Sequence, residues 1–248
     1  MLSEKNFNLI KPPRLNYGDT IGIISPSYEA KPEYIQGSVQ TLRELGFEIK
    51  LSKHIFSHTY GFSGSIEERA EDFNAMVEDD SVKLVLFGGG EVCNEILPYI
   101  DYENIRRHPK IFCSYSDSTT LLNAINRMSG IVTFYGASVR TFGALTDYNR
   151  QSFESRLMHE NTDYIKASPW KTIYSGKCEG VLAGGYLVNY AALYGLTYYP
   201  EIPYDSCVLF IEDHEKFSQP AVVSKWFSNL EHRGVFEKVK GLIFGHYS

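Results

Sequence analysis

The chain has 248 residues, of which 43% are hydrophobic and 22% are charged, as is usual for soluble globular proteins. This length is sufficient for one large domain or two modest ones. Its 24 basic and 30 acidic residues give a net charge of −6. Nucleic acids and anionic membranes bind basic surfaces, so the charge gives no reason to expect either as a partner.

The amino-terminal sequence and the cysteines indicate a cytoplasmic protein. The first twenty residues lack the basic region, apolar core and small-residue cleavage site of a signal peptide. No stretch approaches the roughly 18 continuous apolar residues of a membrane span. The four cysteines are scattered without a CxxC spacing, which disfavours a metal site or a disulfide framework.

Strands alternate with helices through the first half of the chain. Apolar, β-rich runs predict strands at 20–27, 47–52, 83–90 and 111–113. Three- and four-residue apolar spacings predict helices at 33–46, within 63–82 and at 118–130. The second helix has a capping-box spacing, with Ser65 three residues before Glu68.

This alternation predicts a parallel sheet with helices on both faces, of the flavodoxin-like or amidotransferase-like kind. Such sheets bind ligands at the carboxyl ends of their strands. Ser25, the glycines 88–90 and the segment 114–118 all fall there.

The sequence changes character after about residue 140, where a polar, irregular stretch precedes a segment richer in β-formers. The runs at 180–185, 207–213 and 241–245 predict strands of a second, smaller domain. We therefore predict an α/β domain at 1–165, a linker at 166–178 and a β-rich domain at 179–248. Since the last strand lacks neighbours to cover its edge, we expect this second domain to be truncated.

Ser116 lies in a tight turn between a predicted strand and a predicted helix, within "KIFCSYSDSTTLL". This is the setting of a nucleophile elbow, although Ser114 and Ser118 replace its usual flanking glycines. The turn would lift the hydroxyl above the sheet, and the next amide would face a developing oxyanion. On these residues alone, a simple helix cap remains the alternative interpretation.

Longer segments resemble the LD-carboxypeptidase family of serine peptidases, which includes the microcin C immunity peptidases. The resemblance extends over nearly all of the chain, and its most specific motifs are "LPYIDY", "PKIFCSYSD" and "FIEDHE". Further similar segments are "NYGDTIGIISPS", "GIVTFYGA" and "EGVLAGGYL". The stretch "YGFSGSIEERAEDFN" is closest to the microcin-immunity branch.

The resemblance implies a Ser–Glu–His triad with Ser116 as the nucleophile and Glu212 as the acidic member. It also implies an oxyanion hole made by the backbone amides of Gly90 and Asp117, with Gly89 beside the substrate. An unactivated serine is a poor nucleophile, so it needs a base that a third group holds in place. Without the resemblance, Glu212 would be interpreted as a solvated acid.

Three features depart from the family pattern, and the first is Ser114, which stands where the family usually has glycine. Tyr186 stands where the family has an asparagine beside the substrate. None of the seven histidines occupies the family's histidine motif, so we expect the catalytic histidine to be missing from a truncated chain. His214 and His246 are weaker alternatives for the base.

Other residues have simpler interpretations. His54 and His58 have a four-residue spacing but no third metal ligand, so we predict surface histidines. Cys113 could suggest a cysteine-nucleophile amidotransferase, but it lies inside a strand and should point into the core.

The resulting hypothesis is a serine hydrolase that requires no metal or cofactor and forms an acyl-enzyme. The resemblance implies a murein tetrapeptide or a microcin C-like peptidyl or aminoacyl nucleotide as the substrate, and a homodimer as the assembly. The alternative is an inactive homologue that binds or sequesters a peptide.

Overall fold

The computed structural model describes residues 9–88, 90, 93–163, 168–199, 206–213 and 218–247. The strands of its first sheet are β1 (Thr20–Ile24), β2 (Glu48–Leu51), β3 (Val82–Phe87), β4 (Ile111–Ser114) and β5 (Phe134–Tyr135). All are parallel, in the order β2-β1-β3-β4-β5. This is the flavodoxin-like order, which confirms the predicted fold class.

Helices cover both faces of this sheet. They are α1 (Pro32–Glu44), α2 (Ile66–Glu78), α3 (Tyr102–Arg107), α4 (Thr119–Ser129), α5 (Val139–Gly143) and α6 (Asp147–Phe153). Short 3₁₀ helices lie at Asn94–Tyr99 and Ser116–Ser118, and α6 continues into a π turn at Glu154–Met158. Alternate strand residues separate the core into two layers, with Leu84 and Leu86 facing α1, α5 and α6, and Val85 and Phe87 facing α2, α3 and α4.

The helix boundaries follow the local sequence signals. The Ser65 hydroxyl accepts a hydrogen bond from the Glu68 amide, and the Glu68 carboxylate accepts one from the Ser65 amide. This confirms the predicted capping box. The apolar spacing that predicts the helix at 118–130 also places Met128 on its inward face, and this was wrong: Met128 is 36% exposed, and Ser129 is buried instead. At 100° per residue, Met128 lies on the same face as Leu121 and Ala124, so the helical period does not explain its exposure in the last turn of α4.

The second sheet contains β6 (Val181–Tyr186), β7 (Cys207–Asp213) and β8 (Gly241–Tyr247), all parallel. It packs with α7 (Leu187–Ala192), α8 (Pro220–His232) and α9 (Val235–Lys238). The predicted linker at 166–178 precedes this sheet, and the domain limits stay a prediction. Within the described ranges, no helix is long and apolar enough to cross a bilayer.

The two sheets meet at the amino-terminal end of α4. The Tyr186 amide donates to the Thr119 hydroxyl at 2.9 Å, and the Asn123 amide group donates to the Gly184 carbonyl at 3.2 Å. Gly185 has a φ of +135°, and a Cβ there would lie 2.6 Å from the Thr119 hydroxyl oxygen. Only glycine fits this backbone and this approach, so the contact depends on it.

Candidate active site

Ser116 occupies a strained turn directly after β4. The chain leaves the strand through Tyr115, which is extended, and turns at Ser116 with a φ of +60° before α4 begins. A non-glycine residue is uncommon in this region, and such residues cluster at functional sites. The residue that caps α4 is Ser118, whose side chain makes no capping hydrogen bond. The position of Ser116 is therefore that of an elbow residue, not of the helix cap itself.

Asp117 is buried and is held from two directions. Its carboxylate accepts hydrogen bonds from the Cys93 amide at 3.0 Å and from the Asn189 side chain at 2.8 Å. A Cβ on Gly90 would lie 3.0 Å from the nearer Asp117 carboxylate oxygen, so Gly90 approaches this side chain closely. The two residues that we predicted to form the oxyanion hole are thus neighbours. Gly89 lies outside the described residues.

The loops around this point are connected by Arg69, a buried residue of α2. Its guanidinium donates to the Pro26 carbonyl at 3.1 Å and to the Glu95 carboxylate at 2.7 Å. Ser25 also donates to the Gly88 carbonyl at 3.3 Å. These bonds join the segments that follow β1 and β3, which positions the glycine turn relative to β4.

Glu212 reaches the same region from the end of β7. It pairs in register with Tyr186 of β6, which is buried, and is itself half-buried. A Cβ on Gly245 of β8 would lie 2.7 Å from the Glu212 Cβ. The glutamate is therefore enclosed by its two neighbouring strands.

A single tyrosine connects Ser116 with Glu212. The Ser116 amide donates to the Tyr135 hydroxyl oxygen at 3.0 Å, and the hydroxyl donates to the Glu212 Oε1 at 2.5 Å. Burial and the negative charge of Glu212 raise the pKa of Tyr135, so the phenol keeps its proton at neutral pH. Sequence analysis did not identify Tyr135, although it lies within the "GIVTFYGA" segment of the resemblance.

The histidines do not complete a triad within the described part of the chain. There, no hydrogen bond joins a histidine to Ser116 or Glu212, and His246 is exposed on β8. His214 lies outside the described residues.

The prediction of surface histidines holds for His58 but was wrong for His54. His54 is buried, and its Nδ1 lies 3.1 Å from the Asp72 carboxylate on α2. Among the residues that the structure describes, no three potential ligands are grouped as a metal site requires.

Cys113 and a cavity at the far edge of the sheet do not offer competing sites. Cys113 is buried in β4, and burial raises the pKa of its thiol to about 12, which leaves it protonated and weakly nucleophilic. A cavity of about 340 Å³ lies at the opposite, amino-terminal edge of the sheet, lined in part by Arg14, Asp80 and Lys83. It contains none of the predicted site residues.

Comparison with known proteins identifies two matching regions. Residues 21–136 match the LD-carboxypeptidase N-terminal domain, and residues 179–248 match the LD-carboxypeptidase C-terminal domain. Together these regions cover more than half of the chain and contain Ser116, Tyr135 and Glu212.

Individual relatives agree with this result. A probable murein peptide carboxypeptidase of Bacillus subtilis is 34% identical over 94% of this chain and 73% of its own length. The microcin C7 self-immunity protein MccF of Escherichia coli is 33% identical over 94% of this chain and 77% of its own length. The structure of MccF in complex with glutamyl sulfamoyl guanosine superposes with a TM-score of 0.83 at 29% identity, covering 95% of this chain and 80% of that one.

Proposed function

Because the chain belongs to the LD-carboxypeptidase family and is a hydrolase of the carboxypeptidase type, we propose that it cleaves an amide bond with Ser116 as the nucleophile. The observation that supports this most directly is the strained elbow at Ser116, joined through one tyrosine to the carboxylate of Glu212. A helix cap requires neither the positive φ nor the connection to a second sheet.

The proposed reaction proceeds through an acyl-enzyme. A histidine removes the proton from the Ser116 hydroxyl as its oxygen attacks the substrate carbonyl, and the same imidazolium then protonates the leaving amine. The backbone amides of Gly90 and Asp117 stabilise the oxyanion. Water attacks the ester in the second half of the reaction and releases Ser116.

Glu212 acts by orienting the histidine and stabilising its positive charge. The geometry suits this role, because Tyr135 occupies Oε1 of the carboxylate, and no hydrogen bond from the described residues is made to the second oxygen, which could therefore accept one from an imidazole. Variants of His214 and His246 test whether either one is the base, and we expect neither His214→Ala nor His246→Ala to remove the activity of a form that carries the family's histidine motif.

Two substrate classes are consistent with the relatives. One relative is named for murein peptides, and MccF binds glutamyl sulfamoyl guanosine, an aminoacyl nucleotide analogue. We propose that this chain hydrolyses the L,D-amide bond of a murein tetrapeptide or the amide bond of a microcin C-like peptidyl or aminoacyl nucleotide. Measurement of kcat/KM on both substrates decides between them. The cytoplasmic location and the homodimer stay predictions.

A fluorophosphonate that reacts with activated serines tests the nucleophile. Intact-mass analysis should detect one adduct on the wild type and none on Ser116→Ala, whereas Ser118→Ala serves as the matched control. In a form of the protein that carries the family's histidine motif, turnover should fall by about 10⁶-fold in Ser116→Ala and by about 10⁴-fold in Glu212→Gln, mainly in kcat. Undiminished turnover in Ser116→Ala would contradict the proposal.

The same measurements separate the enzyme from an inactive peptide-binding homologue. The feature that favours this second possibility is Tyr186, a buried tyrosine where the family pattern has asparagine. Such a homologue would bind murein tetrapeptide in calorimetry, yet it would acquire no adduct and release no product.

A further inference from the structure

Tyr135 occupies a position that the triad by itself does not explain. Its hydroxyl accepts a hydrogen bond from the amide of Ser116 and donates one to the carboxylate of Glu212, and it also interacts with the Thr119 side chain. Ser116 lies 19 residues before Tyr135 in the chain, and Glu212 lies 77 residues after it. One side chain therefore connects the proposed nucleophile with the proposed acidic residue.

Contacts on two sides hold Tyr135 in the position from which its hydroxyl bonds to Ser116 and Glu212. Tyr135 pairs in register with Ser114, the last residue of the strand that leads to Ser116. On its other side, the ring packs edge-on against Phe210 of β7, with ring centroids 5.1 Å apart. Tyr135 thus contacts the first sheet through its backbone and the second sheet through its ring.

The direction of the two hydrogen bonds follows from their chemistry. A backbone amide can only donate, so the Tyr135 oxygen accepts from Ser116, and its single proton is directed at the carboxylate. Burial of the phenol keeps that proton in place over the working pH range. The Ser116 amide is consequently occupied, and it does not compete with Asp117 and Gly90 for the oxyanion.

We propose that Tyr135 is a positioning residue for the reaction, which holds the strained backbone of Ser116 and orients the Glu212 carboxylate towards the histidine. This proposal rests on the proposed function, because its kinetic effect requires Ser116 and Glu212 in their assigned roles. The effect on the backbone of Ser116 does not require catalysis.

Tyr135→Phe is the appropriate variant, since it keeps the ring against Phe210 and removes only the hydroxyl. The hydrogen bond to a charged group makes this loss worth about 10- to 100-fold in kcat, with KM changed less than about twofold. Tyr102→Phe is the matched control. Its hydroxyl is also part-buried and donates to the Leu97 carbonyl at 3.0 Å, away from the site.

The pH profile separates positioning from a purely structural role. A carboxylate that loses a hydrogen-bond donor is less stabilised, so it interacts more strongly with a neighbouring imidazolium and raises the pKa of the histidine. This change moves the acid limb of kcat/KM to higher pH, by about 0.5 to 1 pH unit. Among the described residues, Asp213 and Tyr247 are titratable groups near Glu212 on β7 and β8, with Tyr186 paired on β6, and all three are unchanged in the variant.

Amide hydrogen exchange supplies a readout that needs no turnover. In the full chain, the Ser116 amide should exchange at least about tenfold faster in Tyr135→Phe than in the wild type, while Tyr102→Phe leaves it unchanged. If Tyr135→Phe changes neither the Ser116 exchange rate, nor kcat, nor the acid limb, while Ser116→Ala loses activity, the proposed role of Tyr135 is overturned. The proposed function would be unaffected by that result. Full activity in Ser116→Ala would overturn the proposed function, whereas faster Ser116 exchange would still support the contact with Tyr135.

Discussion

Replacement of Ser116 by glycine should give a more stable protein than replacement by alanine. Both variants lack the hydroxyl, so they differ only in what the backbone and Cβ require. A φ of +60° costs a residue with a Cβ about 1 to 2 kcal/mol, and glycine avoids this cost. Glycine loses about 0.5 to 1 kcal/mol more conformational entropy on folding. The remaining difference is about 0.5 to 1 kcal/mol in favour of Ser116→Gly.

Calorimetric melting measures this difference directly. For a chain of this size, the expected increase in Tm of Ser116→Gly over Ser116→Ala is about 1 to 4 °C. Ser38 supplies the matched control, because it is buried in the regular helix α1 and its hydroxyl donates to the Tyr34 carbonyl. There, Ser38→Gly should be less stable than Ser38→Ala by about 1 kcal/mol.

The opposite order at the two serines is the essential result. If Ser116→Gly is less stable than Ser116→Ala by about 0.5 to 1 kcal/mol, which is what glycine loses in entropy, the elbow stores no backbone strain. The inference from the positive φ to a catalytic turn would then lose its physical basis. Neither variant should form the fluorophosphonate adduct, so stability and reactivity change independently at this position.

Gly245→Ala should lower kcat by about 100-fold, because its Cβ would lie 2.7 Å from the Glu212 Cβ and would displace the carboxylate. Gly176→Ala, where a Cβ has open space, should keep full activity, and equal activity of the two variants would contradict this packing. Iodoacetamide at pH 8 should modify Cys178 in the native protein, since this thiol is exposed. Cys113 should stay unmodified, because burial raises the pKa of its thiol to about 12 and keeps it protonated. Modification of Cys113 in the native protein would contradict this.

Local sequence signals were sufficient for the elements that carry the site. The capping box of Ser65 and Glu68, the strand–turn–helix around Ser116 and the glycines after β3 are all contained in a few neighbouring residues. Backbone propensity and hydrophobic periodicity act over this range, and for that reason the alternation predicted the parallel sheet. Glu212 required the resemblance, because an acid at the end of a strand has no distinctive pattern of its own.

Only the tertiary structure decided which side chains meet. Tyr135 had no periodic signal that could connect it with Glu212, 77 residues away. The same holds for Asn189, which bonds to Asp117 across 72 residues, and for His54, which is buried because Asp72 of α2 faces it. Such contacts depend on the register and packing of whole sheets and helices, which bring residues together without leaving a pattern in the surrounding sequence.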